Sequence, residues 1–319
     1  MAAISALEVM SPGLLTTVQD LGRIGFGRFG IAPSGALDRV AMRIGNLLVD
    51  NPESEAVLEI TLPGFRAKIL TDVVVALTGA DLGLHINGEP LGPWRSYRLC
   101  PEDILSLESL NNGCRSYLAL GGGLLVPEVL GSRSTNITSG FGGLDGRPLR
   151  SGDIIKVDSP QHYLHAGGRK FDLNAVPSYF NDWELRVVMG PQHEHFQGES
   201  CNRFLNAVYQ VTAKSDRTGV RLHGPRMIIS EGQPESIISE GIISGAIQIP
   251  GDGQPIIVLG ETVSGGYRKI ATVISADIHL LGQVLPGDRV QFQAVNPREA
   301  RQALWRLEEG IGRFRDSLM

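Results

Sequence analysis

Pro286-Gly287-Asp288-Arg289-Val290-Gln291-Phe292 is a tight turn that ends in aspartate and runs straight into an alternating strand. The same device occurs at Pro101-Glu102-Asp103-Ile104-Leu105-Ser106-Leu107 and at Ser151-Gly152-Asp153-Ile154-Ile155-Lys156-Val157. In each, the carboxylate can bond back to its own turn, which fixes where the strand begins. Working outward, Val73-Val74-Val75-Ala76-Leu77 ends near Gly79, and Leu84-His85-Ile86 runs into the hairpin signal Asn87-Gly88, with Trp94 to Leu99 beyond it. Ile256 to Leu259 and Ile270 to Ile274 add two buried strand candidates. The 40 glycines and 18 prolines in 319 residues keep elements short and turns frequent. The pattern predicts a mainly β protein of two barrel-like domains with a few peripheral helices. The expected limits are 1–165 and 183–296, with the polar stretch Asp158 to Asp182 as the seam and an amphipathic helix over 297–319.

Helical spacing is confined to two places. Leu37, Val40, Ala41, Ile44 and Leu48 share one face, with Ser34 as the expected N-cap; Ala300, Leu304, Leu307, Ile311 and Phe314 share another, with Pro297 at its start. The net charge of −5 gives no basic surface for nucleic acid. No apolar run approaches the ~18–20 residues of a membrane span. Met1 to Gly13 lacks a basic flank and a long apolar core, so no secretory signal is expected. Three cysteines (Cys100, Cys114, Cys201) without CxxC spacing fit a reducing cytoplasm.

Several familiar signals fail in context. Gly25-Phe26-Gly27-Arg28-Phe29-Gly30 satisfies G-x-G-x-x-G, but a polar segment precedes it and Pro33 intervenes before the helix, so it is not read as a dinucleotide fingerprint. His193-Glu194-His195 lacks an evident third ligand, and no metal is expected. Nothing matches the Met-Lys-Met setting of a biotinylated lysine, so no covalent biotin is expected on this chain.

Four segments carry polar groups on glycine-permitted turns. The first runs from Thr16 to Arg23 and on through Pro33-Ser34-Gly35-Ala36-Leu37-Asp38. The second joins Gly121-Gly122-Gly123 to Leu130-Gly131-Ser132-Arg133-Ser134-Thr135; its glycines suit either close approach to a ligand or a tight corner. The third combines Lys214 to Gly219 with Ser239-Glu240-Gly241 and Gly245 to Pro250, and the fourth is Glu261 to Ala271. A weak echo links Thr17–Asp20 and Arg23 with Thr212–Asp216 and Arg217.

Taken together, TTVQDLGR, PSGALD, LE-x-T-x-x-G, YLALGGG, LGS-R-ST, GPQ, SDR-x-G-x-RL, GAIQ-P and GGY-x-K-IA resemble the biotin-dependent carboxyltransferase family, also known as the allophanate hydrolase subunit 2 family, which includes the C subunits of bacterial 5-oxoprolinase. The resemblance runs from about Ser11 to Phe292. It implies a cyclophilin-like β-barrel fold and, as partner, a B subunit of related fold. It further implies a third protein, the A subunit, which completes an ATP-dependent opening of 5-oxoproline to glutamate. ATP enters with that complex, on this chain or another. The alternatives are transfer of a carboxyl group from carboxybiotin to urea, and a non-catalytic binding role against a kinase inhibitor. Relatives usually read Q-T-x-G-G-Y-P where this chain has Glu261-Thr262-Val263-Ser264-Gly265-Gly266-Tyr267-Arg268, one residue longer and with arginine in place of proline.

Opening a lactam needs stabilisation of the charge that develops on a poor electrophile. Arg23, Arg133, Arg217 and Lys269 are the electrostatic candidates, expected to converge on one anionic small molecule. Asp20, Asp216 and Glu240 are the candidates for orientation or proton transfer. Ser34, Asp38, Ser134, Gln248, Thr262, Gly265 and Gly266 are the candidates for holding substrate.

Overall fold

Each aspartate turn closes as the spacing predicts. Asp103, Asp153 and Asp288 accept the backbone N–H of the residue three positions earlier, Cys100, Arg150 and Leu285, at 2.7, 2.7 and 2.8 Å. Strands Ile104–Leu107, Ile154–Asp158 and Arg289–Ala294 follow directly. The computed structural model describes residues 3–234 and 236–319; the first two residues of the N-terminal stretch lie outside the described residues. The chain divides into two units, Met1–Arg23 with Ser34–Tyr179, and Ile24–Pro33 with Phe180–Met319.

In the first unit the strands are shared between two sheets. One contains, in order, Ile154–Asp158, Ala3–Pro12, Phe65–Ile69, Ile104–Leu107, Leu84–Ile86 and Glu89–Pro90; the other contains Leu15–Gln19, Val57–Thr61, Arg115–Leu120, Val73–Gly79 and Arg95–Leu99. The Asn87-Gly88 turn therefore joins Leu84–Ile86 to the short strand Glu89–Pro90, while Arg95–Leu99 crosses to pair with Val73–Gly79. Alternation sorts the side chains. Val73, Val75, Leu77, Leu118 and Leu120 face a core shared with Leu7, Val9, Phe65, Ala67 and Ile155 of the other sheet. Every residue of Val57–Thr61, Val73–Gly79 and Arg115–Leu120 is buried, and helix α1 (Arg39–Leu48) covers the opposite face of the last two. Gly45 lets α1 approach closely: a Cβ there would stand 2.9 Å from Thr78 Oγ1, which donates to the Ala41 carbonyl at 2.7 Å.

Ser34 does not cap α1. The helix begins at Arg39, and the Asp38 carboxylate accepts the Ala41 N–H at 2.9 Å. Ser34 sits upstream in the left-handed region, at φ 55°.

The second unit closes into the expected barrel. Its strand order is Asp182–Met189, Arg268–Val273, Ala246–Ile249, Ile256–Val258, Gly219–His223, Tyr209–Val211 and Arg289–Ala294, and the last pairs in parallel with the first. Leu185, Val187, Ile247, Ile257, Ile270 and Val290 are buried inside. Phe204 of α2 (Gly198–Asn206) stacks on Phe292 at 4.5 Å, which seats that helix on the barrel. α3 (Pro297–Asp316) starts at Pro297 behind a capping box formed by Asn296 and Glu299. Its Ala300, Leu304 and Leu307 pack with Ile274 and Ala276. The seam contains two 3₁₀ turns, Pro160–Ala166 and Leu173–Ala175. No helix among the described residues is long and apolar enough to cross a membrane.

Candidate functional site

The candidate side chains of the first unit form a buried hydrogen-bonded lattice. Strand Leu15–Gln19 delivers Asp20 to a tight turn, where Oδ1 accepts from the Gly22 N–H at 2.7 Å, Ser132 Oγ at 2.7 Å and Ser134 Oγ at 2.5 Å. Oδ2 accepts the Arg133 N–H at 2.6 Å, and the Asp20 N–H donates to Ser134 Oγ at 2.9 Å. With four donors already on it, this carboxylate fixes the 132–134 loop and is a poor candidate for proton transfer. Arg23 is only 1% exposed. Its guanidinium donates to the carbonyls of Val129 and Ser134, each at 2.8 Å, and lies 4.7 Å over the Phe141 ring. Gly142 (φ 71°) makes room for it, since a Cβ there would stand 2.9 Å from Arg23 Nη2. Arg23 is a structural staple.

Arg133 is nearer solvent and shared between Glu55 at 3.3 Å and Glu128 at 3.1 Å. The triple glycine serves the corner reading: Cβ atoms at Gly122 and Gly123 would overlap the Asp158 backbone and the Glu55 carboxylate. Asp38, fully buried, caps α1, accepts from Tyr179 Oη at 2.9 Å, and donates its own N–H to Tyr117 Oη at 2.7 Å. Tyr117 in turn donates to Glu59 Oε2 at 2.9 Å. Burial first, and the Glu59 and Asp38 charges second, push the Tyr117 phenol well above its ordinary value. Tyr179 is raised in the same sense, by burial and then Asp38. Both phenols stay protonated and act as donors. Ser34 is 2% exposed, and its hydroxyl is buried without a hydrogen-bond partner among the described residues. Gln19 ties this loop to the strand by accepting the Gly35 N–H at 3.0 Å.

The second unit holds a different kind of site. Strand Arg268–Val273 carries Lys269, whose neighbour across the ladder is Gln248 of Ala246–Ile249. Lys269 is 8% exposed; its ammonium pairs with Glu240 Oε1, and Gln192 Nε2 donates to the same oxygen at 3.1 Å. Gln192 Oε1 accepts the Lys269 N–H at 3.1 Å, so one amide orders both partners. The Lys269 ammonium, with Gln192 assisting, holds the Glu240 carboxyl below the usual carboxylate range. Glu240 is presented by a two-stranded ribbon, Glu240–Gly241 paired with Ser264–Gly265. A Cβ on Gly265 would overlap the Gln248 amide, so a side chain there would displace that amide from its place beside the ribbon. Gly266 accepts the Ile237 N–H at 2.9 Å, and Thr262 Oγ1 donates within its own loop to Ser264 at 3.4 Å.

Asp216 is exposed and caps its own turn, accepting from Thr218 and Gly219. Arg217, 6% exposed, donates through Nε and Nη2 to Glu261 Oε1 at 3.3 Å. The arginine that stands in place of the relatives' proline meets a specific partner: the fully buried Arg268 donates to His195 Nδ1 at 3.3 Å. His193 Nδ1 contacts the Gly190 carbonyl at 2.7 Å. No metal-ligand group of three or more His, Cys, Asp or Glu occurs among the described residues.

Of the four cationic candidates, Arg23 and Arg133 therefore belong to the first unit, and Arg217 and Lys269 to the second. Lys269 has the setting that suits chemistry: a nearly buried ammonium beside a carboxylate, two amides and a glycine ribbon. Gln192, Glu59, Tyr117 and Tyr179 are site residues that motif reading does not single out. Gln192 lies within GPQ and Glu59 within LE-x-T-x-x-G, so position offers a signal, whereas Tyr179 sits in the seam with none.

The model of the carboxyltransferase domain, subdomain A and B, matches residues 29–294. The C subunit of the 5-oxoprolinase of Escherichia coli (strain K12) is 36% identical over 303 residues, which are 93% of this chain and 94% of that protein. The urea amidolyase of Lachancea kluyveri is 34% identical over 93% of this chain, yet the chain spans only 17% of it. The crystal structure of the K. lactis urea amidolyase superposes with a TM-score of 0.92 at 31% identity, covering 98% of this chain and 20% of that one. On both the sequence match and the architecture, this chain belongs to the carboxyltransferase domain, subdomain A and B, family.

Proposed function

We propose that this chain is the C subunit of an ATP-dependent 5-oxoprolinase that works in the cytoplasm with its B and A partner proteins, the B protein being of related fold. The observation that carries the reading is the extent of likeness: the chain matches 94% of the length of the E. coli 5-oxoprolinase C subunit, and only 17% of a urea amidolyase. The net reaction adds one water across the ring C–N bond of 5-oxoproline; a second water is consumed as ATP becomes ADP and phosphate. A lactam carbonyl accepts a nucleophile poorly, so the oxyanion that forms on it needs a fixed positive charge in a dry setting. The Lys269 ammonium, held by Glu240 while Gln192 braces that carboxylate, is the group that supplies it. Glu240 aims the Lys269 ammonium, and Gln248, Gly265 and Gly266 shape the wall where the ring would lie. Asp20, Arg23, Asp38 and Ser134 hold the loops of the first unit.

The test mixes this chain with its purified B and A partners and follows 5-oxoproline-dependent ADP release together with glutamate formation. Activity that requires all three supports the reading. Full activity without this chain makes it a regulator, and carboxylation of urea that depends on a biotin carrier moves it to the carboxyltransferase branch.

A further inference from the structure

We propose that the outer face of the barrel carries a separate binding groove for the phosphoryl group of a small molecule. The groove is an open pocket of about 390 Å³, lined by Thr212, Lys214, Arg221, His223, Asp252 and Ile256 among others. That volume lies within the range of small-ligand sites, about 300–1,000 Å³. It is built by strand register. Val211 pairs with Leu222 and both point into the barrel, so the flanking Arg221 and His223 of Gly219–His223 project outward. Thr212 donates its N–H to the Arg221 carbonyl, and Ile256 opposes Arg221 on the other side. Arg221 therefore sits at the centre, between a hydroxyl and an apolar surface.

The charge in this groove is uncompensated by the protein itself. The side chains of Lys214 and Arg221 have neither an ion pair nor a hydrogen bond among the described residues, and the His223 ring has none either. In a chain of net charge −5, the cationic and imidazole groups here outnumber the single carboxylate, Asp252. The Thr212 hydroxyl is buried in the groove wall and also lacks a partner among the described residues. A ligand oxygen at this position would supply the bond that this hydroxyl lacks. A phosphoryl group fits the set: the planar Arg221 fork takes two of its oxygens, Lys214 adds a point charge, and Thr212 donates to the third. Ile256 then receives the apolar or planar body of the molecule. The groove involves none of Lys269, Glu240 or Gln192, so it stands or falls apart from the 5-oxoprolinase reading.

The experiment titrates the full chain with inorganic phosphate and, separately, with ADP, following amide shifts and binding heat. Both are expected to saturate, with ADP the tighter. Arg221→Gln and Lys214→Gln should each weaken both by about tenfold, the effect of losing one charge-assisted contact. Both substitutions are on exposed side chains and should leave the unfolding midpoint in place; Lys269→Ala should leave both titrations intact. Titration that fails to saturate with either probe, or affinities unchanged in both glutamine variants, overturns the proposal.

Discussion

The turn at Asp20 and the turn at Asp216 start from the same residue types and end in different jobs. Each follows a strand, and each carboxylate caps its own loop, accepting from Gly22 in one and from Thr218 and Gly219 in the other. Asp20 then gathers Ser132, Ser134 and the Arg133 N–H from more than a hundred residues away, while Asp216 stays exposed. The arginines diverge too. Arg23 is surrounded by carbonyls and an aromatic face; Arg217 donates to a buried carboxylate, Glu261. Local turn chemistry is thus repeated, whereas burial and long-range partners decide whether a turn is a structural knot or a surface cap.

Breaking the two aspartates separates them most sharply. Asp20→Ala should destabilise the protein by about 3–5 kcal/mol, because buried hydroxyl and N–H donors lose a charged acceptor. Asp216→Ala should cost about 1 kcal/mol, the net worth of a solvent-accessible turn bond. Denaturant unfolding of the two variants measures the contrast, and equal losses would mean that the lattice around Asp20 contributes no more than an ordinary cap. Next in size is the arginine comparison. Arg217→Ala should cost about 3 kcal/mol by leaving the Glu261 charge without its guanidinium in a buried place. Glu261→Gln keeps an acceptor for Arg217 but leaves its charge uncompensated, and should cost less, about 2 kcal/mol. A larger loss from the glutamine variant than from the alanine one would place the essential charge on Glu261.

Acid sensitivity is the smallest effect and involves both units. Asp153 is held below its ordinary value chiefly by its bond to Arg147, and Glu240 chiefly by its bond to Lys269. A carboxylate depressed in the folded state binds its proton more readily when unfolded. Its stabilising contribution is therefore complete above about pH 5 and is lost as the pH falls through about 4 toward the folded-state value. Arg147→Ala should flatten that acid decline measurably. A steeper decline in the variant would reverse the assignment of cause.

The legible part of the fold is local. The three aspartate turns, the Asn87-Gly88 hairpin and the Pro297 helix start are short-range devices, and each occurs where its residues place it. The cap of α1 falls on Asp38 and not on the expected Ser34; both are good cap residues, but the helix begins only at Arg39, and the left-handed Ser34 lies upstream of the cap position. The departure of Arg95–Leu99 to a second sheet depends on pairing with Val73–Gly79, which local pattern does not encode. In the candidate site, residue types mark Lys269 and Glu240 as polar groups on glycine turns. Their pairing through Gln192 has no local signal, because 77 residues of chain separate Gln192 from Lys269 and 48 separate it from Glu240. Asp20 and Arg23 look equally chemical in sequence, and only their buried hydrogen bonds to a distant loop show that they hold structure.

The central claim is that the Lys269 ammonium supplies the charge for ring opening. It is tested most directly by steady-state turnover of 5-oxoproline in the assembled complex containing Lys269→Ala, with Lys269→Arg as the charge-retaining partner. The account predicts a fall in kcat of at least about a hundredfold for the alanine variant, partial recovery with arginine, and an unfolding midpoint close to that of the unaltered chain. A kcat within twofold of the unaltered complex in the alanine variant would contradict it.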